Sequence, residues 1–519
     1  MSGNKKQGKH MLLKKIFSPN IIKILTVIVA ALEQLVIIII PSIYLNNFFP
    51  HINVILEIIS IMVVLYIIKS DMNPVYKIPW IVVLLVMPVF GGVLYLVYGR
   101  AHFAKREIKR TRKITEIYHE ALNSRPFANE ELKKIDPNVS VQTDYLLKCA
   151  DAPVYKNTKI QYFSLGDDMF PVMLEELEKA EKFIFMEYFI IEEGLMFDSI
   201  VEILERKAKE GVDVRFIYDS FGSILKAPVD IVRKLQKKGI RCFEFNSFRT
   251  VLDSRYNNRD HRKICVIDGN VGFTGGVNLA DEYINKIEVY GHWKDTAIML
   301  KGDAVWSFTL MFLSLWDVLK KENDEVSKFA PTKTFNYDDG FAAPYSDYPL
   351  DGEPTGKNVY LNIINRANKY VYIMTPYLIL DTVMISALEN AAKNGIDVRI
   401  IMPGIPDKKI VFMLSQSYYD VLLKAGVRIF EYEPGFVHAK VFLSDDTTAV
   451  VGTINLDYRS LTHHFENAVW MYRNECLKDI KKDYMDTLTK CNEVFLGQKK
   501  ESILRRILMP ILRLFSPMF

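Results

Sequence analysis

The chain has 519 residues, half of them apolar, with 66 Lys and Arg against 62 Asp and Glu. A net charge of +4 implies no nucleic-acid partner, and this apolar content with a mean hydropathy just above zero is high for a purely soluble enzyme. Cys149, Cys242, Cys265, Cys476 and Cys491 show no CxxC spacing, so neither a disulfide frame nor a cysteine metal cluster is suggested.

The apolar excess sits near the N-terminus. Residues 24–45 are apolar apart from Thr26, Glu33, Gln34 and Ser42, and residues 52–68 apart from Asn53, Glu57 and Ser60. Residues 78–98 carry no charge at all. A membrane span needs about 20 residues, so the third stretch is the strongest candidate, while Glu33 and Glu57 weigh against the other two. Lys5, Lys6, Lys9, Lys14 and Lys15 hold the N-terminus in the cytoplasm, and the run Arg100, Lys105, Arg106, Lys109, Arg110, Arg112 and Lys113 does the same for the segment after the third stretch. Three spans cannot satisfy both, which favours a hairpin of the second and third stretches with the rest of the chain cytoplasmic. Beside a membrane exit, that basic run suits anionic lipid heads. The expected organisation is a membrane region over residues 1–113 and a linker over 114–150. Two repeats follow over 151–330 and 331–495, then a basic amphipathic tail over 496–519.

Within the repeats, strand-like and helix-like segments alternate. Residues 183–191, 197–209 and 214–218 are matched in order by 370–379, 382–393 and 398–402. That alternation predicts α/β sandwiches with a mostly parallel or mixed sheet. Gly211 to Arg215 reads GVDVR where Gly395 to Arg399 reads GIDVR, so the duplication covers a whole domain. The first copy has a longer loop before its motif, about residues 246–258, whose Arg249 and Arg255 could reach a second anionic headgroup. Tyr188 and Tyr377 stand at matching strand ends, where core packing with a satisfied hydroxyl is the better expectation.

The chemistry is carried by a repeated HxKxxxxD triplet: His261, Lys263 and Asp268, then His438, Lys440 and Asp445. At average composition a chain with nine His would show about 0.03 such triplets by chance, so two are not an accident. Each copy also has an Asn ten residues past its Asp, Asn278 and Asn455. Alternation along a strand puts each His and Lys on one face. Phosphoryl transfer needs a nucleophile, a proton donor for the leaving oxygen and fixed positive charge. Two facing half-sites supply all three with no cofactor and no metal: one His attacks phosphorus, the other handles protons, and Lys263, Lys440, Asn278 and Asn455 hold the phosphate oxygens. Each imidazole needs a carboxylate on its other nitrogen. Asp295 is the candidate for the first half and Glu466 for the second. The six motif residues are the catalytic candidates, although Asp268 and Asp445, at strand ends, suit holding backbone better than touching substrate.

The strings NRDHRKICVIDG (258–269), GGVNLADEY (275–283), TPY (375–377), GFVHAK (435–440), GTINLDYRS (452–460) and PVFGGVLYLVYG (88–99) together resemble the phospholipase D superfamily, and within it the bacterial cardiolipin synthases. The resemblance runs from about residue 52 to the C-terminus. It implies tandem phospholipase D-like domains behind an N-terminal membrane hairpin. The implied reaction moves a phosphatidyl group from one phosphatidylglycerol to the glycerol hydroxyl of another, giving cardiolipin and glycerol at the plasma membrane. It also implies His261 as nucleophile and His438 as acid, then base. A membrane phospholipase D releasing phosphatidic acid is the alternative. One departure stands out: His464 occupies a position where relatives usually carry Asn. Residues 503–515 mix Arg505, Arg506 and Arg513 with apolar residues, the pattern of an interfacial helix.

Overall fold

The computed structural model describes Glu33, Val36 and residues 50–70, 72, 74–87, 90–92, 94–95, 114, 117–246, 258–321, 324–349, 351–498 and 503–518. It divides into two units, residues 1–104 with 246–257, and residues 105–245 with 258–519.

In the smaller unit, two helices form an apolar pair, Pro50–Lys69 and Pro74–Val86. Val64, Ile67, Leu84 and Tyr95 share one buried cluster, and the Ser60 hydroxyl donates to the Leu84 carbonyl at 3.0 Å. The Lys77 ammonium donates to the carbonyls of Ile68 and Ser70 at 2.9 and 2.6 Å, closing the turn. The second stretch and the start of the third thus form a pair of packed helices, but the uncharged stretch is not one helix, since the second helix ends at Val86. Among the described residues no helix is long and apolar enough to cross a membrane. The first apolar stretch, apart from Glu33 and Val36, the basic run at 100–113 and the loop carrying Arg249 and Arg255 lie outside the described residues.

The larger unit holds both repeats. The strands of the first are β1 (Thr158–Phe163), β2 (Phe183–Tyr188), β3 (Asp213–Asp219), β4 (Arg241–Phe245), β5 (Ile264–Ile267), β6 (Val271–Gly275), β7 (His292–Lys294) and β8 (Ala297–Gly302). Those of the second are β9 (Phe341–Asp347), β10 (Tyr370–Met374), β11 (Asp397–Pro403), β12 (Arg428–Tyr432), β13 (Gly435–Val437), β14 (Val441–Ser444), β15 (Thr448–Gly452), β16 (Glu466–Tyr472) and β17 (Cys491–Val494). The first sheet runs β1-β8-β6-β5-β2-β3-β4 and the second β17-β12-β11-β10-β14-β15-β16-β9. In both, three strands joined by helices are parallel, β2-β3-β4 and β10-β11-β12, and the motif strand adds antiparallel to the first of them. These are the expected mixed α/β sheets.

The predicted strands at 183–191 and 370–379 stop early, at Tyr188 and Met374. Beyond Tyr188 the backbone leaves the ladder because other partners take it: the Ile190 N–H goes to Asn278 Oδ1 and the Glu192 N–H to the Leu279 carbonyl. Tyr188 is core, and the Tyr377 hydroxyl donates to Asp407 at 2.6 Å.

One hydrophobic core joins the repeats. The helix Val305–Lys320 lies buried within it: Phe312 stacks on Phe185 at 4.6 Å, and Trp316 lies beside the guanidinium of Arg215 at 5.1 Å. Arg215 is itself buried and ion-paired to Asp213 and Asp324. Its aliphatic stem packs and its charge is neutralised, which is what a buried Arg requires. Phe312→Ala would leave a cavity costing about 3–5 kcal/mol.

Candidate active site

Both motif strands start at the carboxyl end of a parallel strand, since Ile264 pairs with Glu187 of β2 and Val441 with Met374 of β10. The preceding His and Lys therefore stand where open α/β sheets place ligands. The repeats then reach across to each other. The parallel pair β13-β7 joins residues 435–437 to residues 292–294, and an isolated bridge links Asp260 to Phe465. The His261 N–H donates to the Phe465 carbonyl at 2.9 Å and the His438 N–H to the Lys294 carbonyl at 2.7 Å. The Asn467 amide donates to Thr274 across the same seam.

That seam decides the carboxylate pairing, and it reverses the expectation. His261 Nδ1 lies 2.9 Å from Glu466 Oε2, and His438 Nδ1 lies 2.6 Å from Asp295 Oδ2. Each imidazole is held by the other repeat, because β7 and Phe465, the residue before β16, are drawn to the opposite motif by the backbone bonds just described. A carboxylate only accepts, so Nδ1 carries the proton and Nε2 keeps its lone pair.

The two carboxylates are accommodated differently. A methyl group on Gly276 would run into Asp295 Oδ1, so glycine is required there. At the matching position of the second repeat, the Thr453 hydroxyl donates to Glu466 Oε2.

Lys263 Nζ donates to the His261 carbonyl at 2.7 Å, and Lys440 Nζ donates to that of His438. An ammonium has three donors, so each keeps two for another acceptor. Burial is the largest influence on both, pulling Lys263 down to about 8 and Lys440 to about 7 against the carboxylates of Asp295 and Glu466. Burial likewise holds His261 well below the usual histidine range, against the pull of Glu466. His438 is lowered to about 4 by burial and then Lys440, with Lys263 of the first repeat adding to it. Burial pushes the Glu466 carboxyl up, but His261 and His464 outweigh it and keep the group ionised. Charges of each half-site thus act on the other, as they must in one small, poorly hydrated cleft.

Asn278 Oδ1 accepts from Ile190 N–H at 3.0 Å and its amide donates to the Tyr283 hydroxyl at 2.8 Å, leaving one amide hydrogen. Asn455 Oδ1 has no hydrogen-bond partner among the described residues. Asp268 and Asp445, counted with the catalytic candidates, are not part of this cleft. A four-residue strand, about 13 Å, separates each from its His and Lys. Asp268 accepts the N–H groups of Glu181, Lys182 and Phe183 at 2.8 to 2.9 Å, and Asp445 those of Asn368, Lys369 and Tyr370 at 2.7 to 3.0 Å. Both stand in the left-handed region, with φ of 52° and 53°. Their carboxylates satisfy the otherwise orphaned backbone donors entering β2 and β10.

Sequence reasoning missed a buried charge network beneath the first motif. Arg262 Nε lies 2.7 Å from Glu187 and 3.2 Å from Asp260, and the Asp260 N–H donates to Asp219 at 3.0 Å. The signal was present: Glu187 is a lone acid in a fully buried strand, and such a charge needs a partner. Two ring contacts were missed as well. Trp293 lies against His438 and His464 against His261, both at 5.6 Å between centroids, from matching positions two residues before the carboxylates.

Comparison with known proteins agrees with this geometry. The family model described as cardiolipin synthase, PLD-like domain, matches twice, at residues 173–301 and 360–487, and that of the phospholipase D-nuclease N-terminal region at residues 58–100. An uncharacterized protein of Streptococcus mutans is 48% identical, over 88% of this chain and 99% of its own length. Cardiolipin synthase 2 of Bacillus anthracis is 35% identical, over 86% of this chain and 88% of its own. Among solved structures, phosphatidylserine synthase of Haemophilus influenzae superposes with a TM-score of 0.55 at 14% identity, covering 69% of this chain and 94% of that one, a likeness of fold. Twin motifs, crossed repeats and matched length place this chain in the phospholipase D-type cardiolipin synthase family.

Proposed function

We propose that this protein is a cardiolipin synthase, joining two phosphatidylglycerol molecules through a phosphohistidine intermediate. The observation that carries the reading is the crossed pair of imidazoles, each tethered through Nδ1 and each left with a free Nε2. His261 Nε2 attacks the phosphorus of the first lipid, and the P–O bond to its terminal glycerol breaks. His438 gives that oxygen its proton, and glycerol departs. The glycerol hydroxyl of a second phosphatidylglycerol then loses its proton to His438 and attacks phosphorus, expelling His261 and forming cardiolipin. The anionic diester raises the proton affinity of His438 as it arrives, which loads the acid. Lys263, Lys440 and the amides of Asn278 and Asn455 stabilise the non-bridging oxygens.

The bilayer is the second element of the proposal. The loops after β3 and β11 leave the sheets at the catalytic edge and expose Phe221, Leu225 and Val229, and Ile405 and Ile410. The helix Ile503–Leu514 packs through Arg505 on Gln416 and Arg513 on the Ser417 carbonyl, and turns Ile507 and Ile511 outward. Such apolar groups beside a lipid-cleaving site suit membrane contact. The reading of a plasma-membrane, multi-pass protein whose catalytic halves face the cytoplasm rests on the apolar N-terminal stretches and the basic residues that flank them in the sequence.

Incubating the full chain in vesicles with labelled phosphatidylglycerol tests the reading. Cardiolipin and glycerol in equal amounts are expected. Phosphatidic acid as the main product would replace the synthase with a hydrolase, and cardiolipin formed only with added phosphatidylethanolamine would change the donor pair.

A further inference from the structure

Beside the first imidazole stands a group that the proposed transfer does not use. His464 is nine-tenths buried, and neither of its ring nitrogens has a hydrogen-bond partner among the described residues. Its Nδ1 lies 3.5 Å from Glu466 Oε1, and that oxygen is also unpartnered, whereas Oε2 is taken by His261 and Thr453. One ligand atom from each of His261, His464 and Glu466 lies within 4.8 Å of the others. Buried polar atoms without partners are costly, and here they point at one another.

We infer that His261, His464 and Glu466 form a site for a divalent transition-metal ion of the zinc type, whose binding reversibly silences the enzyme. Two imidazoles and a carboxylate are a zinc donor set, and nitrogen ligands select zinc, cobalt or nickel over magnesium or calcium. Ligand atoms about 2.0–2.2 Å from a tetrahedral ion are about 3.3–3.6 Å apart, and the separations of 2.9 Å between His261 Nδ1 and Glu466 Oε2 and 3.5 Å between His464 Nδ1 and Glu466 Oε1 are close to that spacing. The ion acts as an inhibitor and not as a cofactor: bound at His261 Nδ1 it displaces the proton shared with Glu466 and draws electron density from Nε2, the atom that must attack phosphorus. The second half-site is a built-in contrast. Trp293 stands at the place of His464, so among the described residues His438 and Asp295 have no second imidazole beside them.

The inhibitory part rests on the proposed transfer reaction; the binding part does not. The test therefore reads both, on the full chain in detergent. Cobalt titrated into the wild type should give a visible d–d absorption band. His464→Asn and His464→Gln should weaken cobalt and zinc binding by at least about tenfold, with each variant's own metal-free transfer rate as the reference for its inhibition. Zinc should inhibit wild-type transfer, chelator should restore it, and the inhibitory zinc concentration should rise in both variants by the same factor as the dissociation constant. No cobalt band in the wild type, or equal affinity in wild type and both variants, overturns the site. Full transfer with zinc bound overturns the switch. Absence of transfer in metal-free wild type would instead defeat the proposed function, with the absorption still reporting on the site.

Discussion

The two half-sites have the same parts held by different means. The second has a shorter carboxylate, Asp295, admitted by the bare backbone of Gly276, and an indole, Trp293, beside its imidazole. The first has a longer one, Glu466, which takes a further hydrogen bond from Thr453, and an imidazole, His464, at the place of the indole. Asp295 likewise accepts the Thr296 N–H at 2.8 Å, so each carboxylate has a donor besides its imidazole and both are fixed acceptors; what differs is the source of that donor and the ring at the neighbouring position. The contrast teaches that a duplicated site divides its labour through the residues around the repeated motif and not through the motif itself.

The largest break in the comparison removes either imidazole. His261→Ala and His438→Ala should each lower transfer by about 10³-fold or more, measured as labelled cardiolipin formed. The two should still differ, since His438→Ala keeps the nucleophile and accumulates a phosphatidylated protein that His261→Ala cannot form. Near-normal turnover in either would refute the two-histidine scheme.

The carboxylates sharpen the crossed pairing. Glu466→Gln and Asp295→Asn should each slow turnover by about 10²- to 10⁴-fold, through the wrong tautomer. Because Glu466 serves His261, its variant should add little to His261→Ala yet compound with His438→Ala in the slow phase of intermediate formation. Coupling of Glu466 to His438 instead would restore the pairing that sequence order suggests.

Asp268→Ala and Asp445→Ala should act on folding rather than chemistry. Each strips a side-chain acceptor from three backbone N–H groups, at a cost of about 2–4 kcal/mol, visible as a lower Tm. Turnover per folded molecule should persist, and its loss at unchanged Tm would return these residues to the catalytic set.

The smallest effect is in the pH dependence of stability. His438 at about 4 in the folded chain faces about 6.5 unfolded. As pH falls from about 6.5 to about 4 the unfolded chain takes up a proton that the folded one refuses, so stability declines across that window. Lys440 at about 7 against about 10.4 unfolded adds a contribution of the same sign, with stability rising between those values. An oxyanion such as tungstate, pairing with the cationic forms, should raise Tm more at pH 6 than at pH 9. A Tm independent of pH from 4 to 7 would contradict this.

Much was legible in the chain itself. The GVDVR and GIDVR strings marked equivalent strands, the alternation gave two mixed α/β sheets, and the twin triplets named four of the groups that converge. These are local properties: periodicity, composition and spacing act over a few residues, so a reader of the sequence meets them intact. That the second and third apolar stretches are helical was legible for the same reason, though not the end of the second helix at Val86.

What the tertiary structure alone decided is which residues touch across the seam. Glu466 is 205 residues from His261, and Asp295 is 143 from His438. No local rule chooses between pairing within a repeat and pairing across it. That choice was made by the backbone bonds of β7, and of Phe465 just before β16, to the opposite motif, which exist only once both sheets have formed. Likewise the placement of Asp268 and Asp445, four residues of strand away from the chemistry, follows from the extended geometry between them and the motif His and Lys. A string of letters gives the spacing of HxKxxxxD; folding turns that spacing into distance, and distance separates the groups that meet a phosphate from those that hold a turn.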